Sequence, residues 1–162
     1  QGWLDHGITE KDCETDADHI FGVALLGYII AKEYRPDLNA EKVMKLGLFH
    51  ELGEVFVGDI TPRDGMDNDK RKQLELEAVK KVFSKMPDPQ KYIDIWLEYE
   101  HKKSLEAEFV HQVDKLELAL QASVYEKLNY KNLDEFFDYY KEKMNDPKLK
   151  EILEEVIKMR KL

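Results

Sequence analysis

Apolar residues recur at i, i+3, i+4 along almost the whole of this chain, while the strict alternation of a half-buried strand is scarce. A helix repeats every 3.6 residues and a strand every two, so the spacing predicts an all-α fold of amphipathic helices closing on one core. Breakers divide the pattern. A first helix is expected to begin near Thr15, whose hydroxyl with Asp18 three residues on makes a capping-box pattern. It runs through Ile20, Val23, Ala24, Gly27 and Ile30 and stops before Pro36. Asn39 is the expected cap of a second helix carrying Val43, Met44, Leu46, Gly47 and then His50-Glu51, ending near Gly53 or just beyond.

Residues 58–69, with Gly58, Pro62, Gly65 and four aspartates, read as a loop, and a charged helix follows from about Asp69 to Lys85. Asp88 as cap and Pro89 as first helical residue start a helix to about His101, with Tyr92, Ile95, Trp96 and Tyr99 on its apolar side. Ser104 opens the longest helix, to about Leu128; Asn132 with Glu135 caps another, and Pro147 precedes a final helix through Ile152, Leu153 and Ile157. The run Phe136-Phe137-Asp138-Tyr139-Tyr140 reads as core, with a possible subunit contact.

With 162 residues, 43% of them hydrophobic, the chain has material for one core, so one domain over 1–162 is expected. A formal charge of −9 argues against a partner held by a basic face, which excludes a nucleic acid polymer or an anionic membrane surface. A phosphate-bearing small molecule stays allowed where a local cation holds it. The single cysteine, Cys13, excludes an internal disulfide and a thiolate-rich metal site, and it favours a reducing, cytoplasmic setting. The longest apolar run, Phe21 to Ala31, is too short to span a bilayer, and no leader pattern precedes it.

Chemistry concentrates in His50-Glu51-Leu52-Gly53-Glu54 and the Gly58-Asp59-Ile60-Thr61-Pro62 that follows. On an α-helix His50, Glu51 and Glu54 share an arc of roughly 100°, a cluster that repels itself unless it holds a cation. Asp114 projects from an apolar stripe with Val110 and Leu118 four residues to either side, and His19 sits beside Ile20 and Val23. Burying such groups costs free energy unless they pair or bind metal. Two imidazoles and two carboxylates without a thiolate suit Mn²⁺, Co²⁺, Fe²⁺ or Zn²⁺ better than Ca²⁺ or Mg²⁺. The zinc-peptidase pattern His-Glu-x-x-His is not met, since Glu54 stands where its second imidazole belongs.

From Gly2-Trp3 to about Tyr125 the chain resembles the HD-domain phosphohydrolases, and within them the small oxetanocin-like 5′-deoxynucleotidases. Glu14-Thr15-Asp16-Ala17-Asp18-His19 parallels the family's Glu-Ser-Val-Ala-Glu-His, and His50-Glu51-Leu52-Gly53-Glu54 its His-Asp-Leu-Gly-Glu. Gly58-Asp59-Ile60-Thr61-Pro62, Glu98-Tyr99-Glu100, Glu106-Ala107 and Asp114-Lys115-Leu116-Glu117 match as they stand. The resemblance implies one HD-domain helical bundle, with a metal-site core over about 15–128 and C-terminal helices over 132–162. It also implies hydrolysis of (deoxy)nucleoside 5′-monophosphates and a homodimer. It makes His19, His50, Glu51 and Asp114 the metal ligands and gives Glu54 and Asp59 the catalytic positions. Trp3 falls at the substrate mouth, and Arg63, in the loop after Asp59, is a candidate phosphate contact.

Two departures stand out. Glu51 replaces the family's Asp, an extra methylene of about 1.5 Å in reach. His6 replaces an Arg often found three residues past the Trp, and the Arg before Gly-Trp would fall upstream of Gln1. They leave two alternatives: a weakened HD protein serving as a metal- or nucleotide-binding regulatory module, and an HD phosphohydrolase of another nucleotide phosphoester. His111, one turn before Asp114, reads as a second-sphere or core histidine, and His101 as a helix-end residue.

Overall fold

A computed structural model describes residues 2–54, 67–130 and 133–160, and among them there are eight α-helices, one 3₁₀ turn and no strand. A four-residue helix, α1 (Gly2–Asp5), leads into α2 (Asp16–Tyr34). The expected capping box is formed: the Thr15 hydroxyl accepts from the Asp18 amide at 3.2 Å, and the Asp18 carboxylate accepts from the Thr15 amide at 3.0 Å. Asn39 caps α3 (Ala40–Phe49) through the Lys42 amide at 3.0 Å. A second tie anchors that end. Lys42 pairs with Glu98 at 2.6 Å and Glu106 at 3.1 Å, which gives two of the motif carboxylates a structural task.

Helices α2 and α3 form a close antiparallel pair. A Cβ at Gly27 would meet Val43 Cγ1 at 2.9 Å, and one at Gly47 would meet the Ala24 Cα at 2.9 Å. That register, Gly27 beside Val43 and Ala24 beside Gly47, carries His19 at the start of α2 to His50 at the end of α3. Without Cβ atoms at the two glycines the helices reach a separation that larger residues forbid.

Here the structure corrects the expected length of the second helix. The α-helix ends at Phe49, and His50–Gly53 winds as a 3₁₀ turn. Gly53 is wedged against Glu75 and Trp96, where a Cβ would fall 2.9 and 3.1 Å from their side chains. In 3₁₀ winding residues three apart eclipse, so Glu51 and Glu54 share one side of the turn and His50 faces another.

Helix α4 (Asn68–Phe83) starts one residue before the expected Asp69, because Asp67 caps it by accepting from the Asp69 and Lys70 amides. Helix α5 (Gln90–Glu100) follows Pro89, which stands at the cap position in place of Asp88. Its most enclosed side chains are Ile93, Trp96 and Tyr99, with Tyr92 and Ile95 half-buried; Ile93 and Trp96 join Val79 and Phe83 in a small separate core. His101 caps α5 and is exposed, as read.

Ser104 caps α6 (Leu105–Lys127), the longest helix, whose Val110, Val113, Leu116 and Ala119 lie at the centre of the main core. Helix α7 (Asp134–Lys143) has no side-chain cap, and Asn132 lies outside the described residues. Helix α8 (Pro147–Arg160) is capped by Asp146, which accepts from the Lys148 and Leu149 amides. Of the aromatic run, Phe137 and Tyr140 are buried, Phe136 stacks on Trp3 with ring centroids 4.7 Å apart, and Tyr139 is exposed. Among the described residues no helix is long and apolar enough to cross a membrane.

Candidate metal centre

His19 and His50 meet where α2 begins and α3 ends, with their Nε2 atoms 3.2 Å apart. Asp114 of α6 brings Oδ1 to 3.3 Å from His19 Nε2, and Glu51 of the 3₁₀ turn brings Oε1 to 3.3 Å from His50 Nε2. One donor atom each of His19, His50 and Glu51 lies within 4.8 Å of the others, a spacing that one ion can bridge.

The remaining ring nitrogens fix the chemistry of this convergence. His50 Nδ1 lies 2.6 Å from the Gly47 carbonyl, which only accepts, so that nitrogen carries the proton and donates it. His19 Nδ1 donates in the same way to the Glu117 carboxylate at 2.6 Å. Both Nε2 lone pairs are thereby aimed at one point, and Glu51 and Asp114 add anionic oxygens to it. Four electron-rich atoms so placed require a cation. A proton on His19 is the smallest that serves, and a divalent ion would serve His19, His50 and Glu51 together, with Asp114 beside His19.

The acidities follow from that crowding. Burial acts to lower the His19 pKa, but hydrogen bonds to Asp114 and Glu117 and their charges outweigh it and push it up to about 11. Burial takes His50 down to about 4, with the Asp114 charge opposing and the His19 charge adding to the drop. Burial would raise Asp114, yet the hydrogen bond from His19 and the charges of His50 and His19 hold its carboxyl below the usual range. One imidazole is thus poised as a cation and its neighbour as a neutral donor.

A cavity of about 330 Å³ opens over the centre, with His19, Glu51, Glu54 and Asp114 in its wall and Trp3, Leu118, Phe136 and Tyr140 around it. No Lys or Arg lines it among the described residues. The Trp3 indole N–H is held by Glu14 at 2.6 Å. Burial, then repulsion from Glu117, raises the Glu14 carboxyl to about 7. A second cavity, also about 330 Å³, shares Glu51 and Glu54 and brings Arg71, Lys72 and Lys102 to the other side. His111 lies in that wall, stacked on Tyr99 at 3.9 Å and donating to its carbonyl at 2.9 Å.

Six of the residues singled out in the sequence, His19, His50, Glu51, Glu54, Asp114 and Trp3, come together around this point. Asp59 and Arg63 lie outside the described residues. Glu117 carries no role in the sequence reading, although it stands three residues after Asp114. Phe136 and Tyr140, read from the sequence as core with a subunit contact, both line the cavity. Only the return of α7 onto the first turn of the chain makes that wall.

The profile of the HD domain matches residues 1–157. The chain is 33% identical over 159 residues to the 5′-deoxynucleotidase HDDC2 of Homo sapiens, covering 96% of this chain and 76% of that protein. It is 32% identical over 163 residues to the 5′-deoxynucleotidase HDDC2 of Dictyostelium discoideum, covering 93% and 85%. Among solved structures it is similar to a conserved hypothetical protein from Pyrococcus furiosus, with a TM-score of 0.77 and 31% identity over 97% of this chain and 90% of that one.

Proposed function

We propose that this chain, which belongs to the HD-domain family, is a metal-dependent 5′-nucleotidase that cleaves deoxyribonucleoside 5′-monophosphates to nucleoside and orthophosphate. The observation that carries the reading is the pair of imidazole Nε2 atoms facing each other at 3.2 Å with a carboxylate beside each. The similarity to proteins named 5′-deoxynucleotidase supports the substrate class.

His19, His50, Glu51 and Asp114 would hold the ion, and their nitrogen and oxygen donors fit Mn²⁺, Co²⁺, Fe²⁺ or Zn²⁺. Such an ion, when bound, neutralises phosphate charge and makes water more acidic. Glu54, on the same side of the turn as Glu51, takes the proton of the attacking water, and Asp59 returns a proton to the leaving 5′-oxygen. The nucleoside occupies the cavity walled by Trp3, Phe136 and Tyr140, whose rings keep bulk water from the scissile bond. Arg63 supplies a further phosphate contact.

Residues 1–162 act as one HD domain in the cytoplasm, and two copies pair. The pairing reading rests on α2, which exposes Phe21, Leu25 and Ile29 at helical spacing, and on Met44 and Leu48 of the adjoining α3, which are also exposed. Metal content of the purified protein and phosphate release from a panel of deoxy- and ribonucleoside monophosphates, with Mn²⁺ or Co²⁺ added, test the activity. Stoichiometric metal with no turnover on any monophosphate would replace the nucleotidase reading by that of a binding module.

A further inference from the structure

Helix α6 reaches both nitrogens of one imidazole. Asp114 faces His19 Nε2 at 3.3 Å, and Glu117, one turn further, faces Nδ1 at 2.6 Å. Glu117 is 8% exposed, an enclosure that a carboxylate tolerates only with a committed partner. Its seat is a notch in α2. A Cβ at Gly22 would stand 2.8 Å from Glu117 Oε1 and 3.0 Å from its Cγ, so only glycine leaves the carboxylate room to lie under the ring.

We propose that Glu117, lodged in the Gly22 notch, is a positioning residue that fixes the tautomer and ring plane of His19 and thereby sets the affinity of the centre for its divalent ion. The inference rests on the metal-site reading above and adds to it a residue outside the four proposed ligands. A carboxylate accepting from Nδ1 keeps the proton there, so Nε2 stays a lone-pair donor; it also raises the basicity of that donor and holds the ring against rotation about χ2. The requirement for glycine follows from the same geometry. The three atoms nearest an added Cβ at position 22 all belong to the Glu117 side chain, so substitution there displaces that carboxylate first and the support for His19 is lost.

The test is Co²⁺ affinity, by competition with a chelator, for the full chain and four variants, read together with the Co²⁺ visible absorption spectrum. Glu117→Ala is expected to weaken binding about 10- to 100-fold and to shift the spectrum as the His19 ligand field loosens. Glu117→Gln keeps an oxygen that accepts from Nδ1, so it should stay within about tenfold of wild type with the spectrum retained, rescuing orientation without charge. Gly22→Ala should weaken binding in the direction of Glu117→Ala. In the Gly22→Ala/Glu117→Ala double variant the second change should add nothing, because the notch no longer has an occupant.

Unchanged Co²⁺ affinity in Glu117→Ala overturns the proposal, and so does a Gly22→Ala effect that adds in full to it. If Glu117→Ala does not fold, Gly22→Ala and Glu117→Gln decide the matter on the same readouts. Failure of the wild-type chain to bind Co²⁺ overturns the metal site itself and this inference with it, whereas tight wild-type binding indifferent to Glu117 overturns this inference alone.

Discussion

His19 and His50 present their Nε2 atoms to each other at 3.2 Å while each Nδ1–H is committed elsewhere, to the Glu117 carboxylate and to the Gly47 carbonyl. Two lone pairs in that relation repel; a proton on His19 relieves the repulsion, and a divalent ion between the rings would stabilise the pair together with the neighbouring Glu51 and Asp114 carboxylates. The arrangement is therefore sensitive to anything that removes the cation or moves either ring.

Ligand removal is the direct consequence. At about 100 times its dissociation constant a divalent ion contributes roughly 2.7 kcal/mol to folding, which for a domain of this size raises Tm by about 5–10 °C. Differential scanning fluorimetry with Mn²⁺ should show that rise for the wild type and lose it for Asp114→Ala and His50→Ala, and a chelator should abolish it reversibly. An Asp114→Ala protein that keeps its metal content and its Mn²⁺ response would remove Asp114 from the ligand set.

The spacing of α2 and α3 sets the distance between the rings, so the two glycines differ in what they control. At Gly47 an added Cβ meets the Ala24 backbone at 2.9 Å, which cannot turn aside, whereas at Gly27 it meets Val43 Cγ1 at 2.9 Å, which can. Gly47→Ala should cost about 1–3 kcal/mol through overpacking and separate His19 from His50, weakening metal binding as well. Gly27→Ala should cost less and leave the metal affinity near wild type. Urea denaturation with parallel metal titrations checks both, and equal effects at the two positions would contradict this account of the pair.

How far the sequence exposes this architecture depends on the range of the interaction. The caps at Thr15, Asn39 and Ser104 are made within three residues, and all three are legible in the chain. The 3₁₀ turn is not, because the packing of Gly53 against Glu75 and Trp96 joins elements far apart in sequence. For the same reason the wall formed by Phe136 and Tyr140 reads as plain core until α7 is seen to return onto Trp3. His19, His50, Glu51 and Asp114 are legible from residue type and spacing. The role of Glu117 is not legible, because its partner His19 lies 98 residues away on another helix.

Glu14 gives the centre a pH dependence. Its folded pKa of about 7 lies above the unfolded value of 4.5, so the folded state binds more protons between those values and stability falls as pH rises through that window. Glu14→Gln removes the charge and keeps an acceptor for the Trp3 indole. With chelator present the variant should be more stable than wild type by about 1–2 kcal/mol at pH 8, a figure reduced for partial solvent screening, and indistinguishable from it below about pH 4.5. Thermal melts across that range read the difference. A Glu14→Gln protein destabilised by the same amount at both ends would show that the carboxylate is held by its hydrogen bond and not penalised by its burial.

Pairing of two copies through α2 makes a separate prediction. Phe21 is 64% exposed and Ile29 46%, on a stripe that includes Leu25. A charge placed there is removed from water if the stripe is buried between copies, and such a substitution costs several kcal/mol when the charge finds no partner. Sedimentation equilibrium should give a dimer for the wild type and a monomer for Phe21→Glu/Ile29→Glu, with the helical circular dichroism unchanged. A wild-type monomer at micromolar concentration would end the proposal.

Glu51 carries the last and most discriminating prediction, because it differs from the family's aspartate. Its Oε1 already reaches 3.3 Å from His50 Nε2 from a 3₁₀ turn whose backbone Gly53 pins against Trp96. Shortening the side chain withdraws the oxygen by about 1.5 Å, more than a turn held on both sides can follow without strain. Glu51→Asp should therefore weaken metal binding by about tenfold or more, a loss comparable to removing a supporting partner, with phosphate release falling in parallel when metal is limiting and recovering as metal is raised. The turn is then the determinant, and the glutamate is matched to it. Tighter metal binding together with faster turnover in Glu51→Asp would mean the opposite: that the turn can follow the shorter side chain, and that Glu51 holds the centre below the activity its remaining ligands can support.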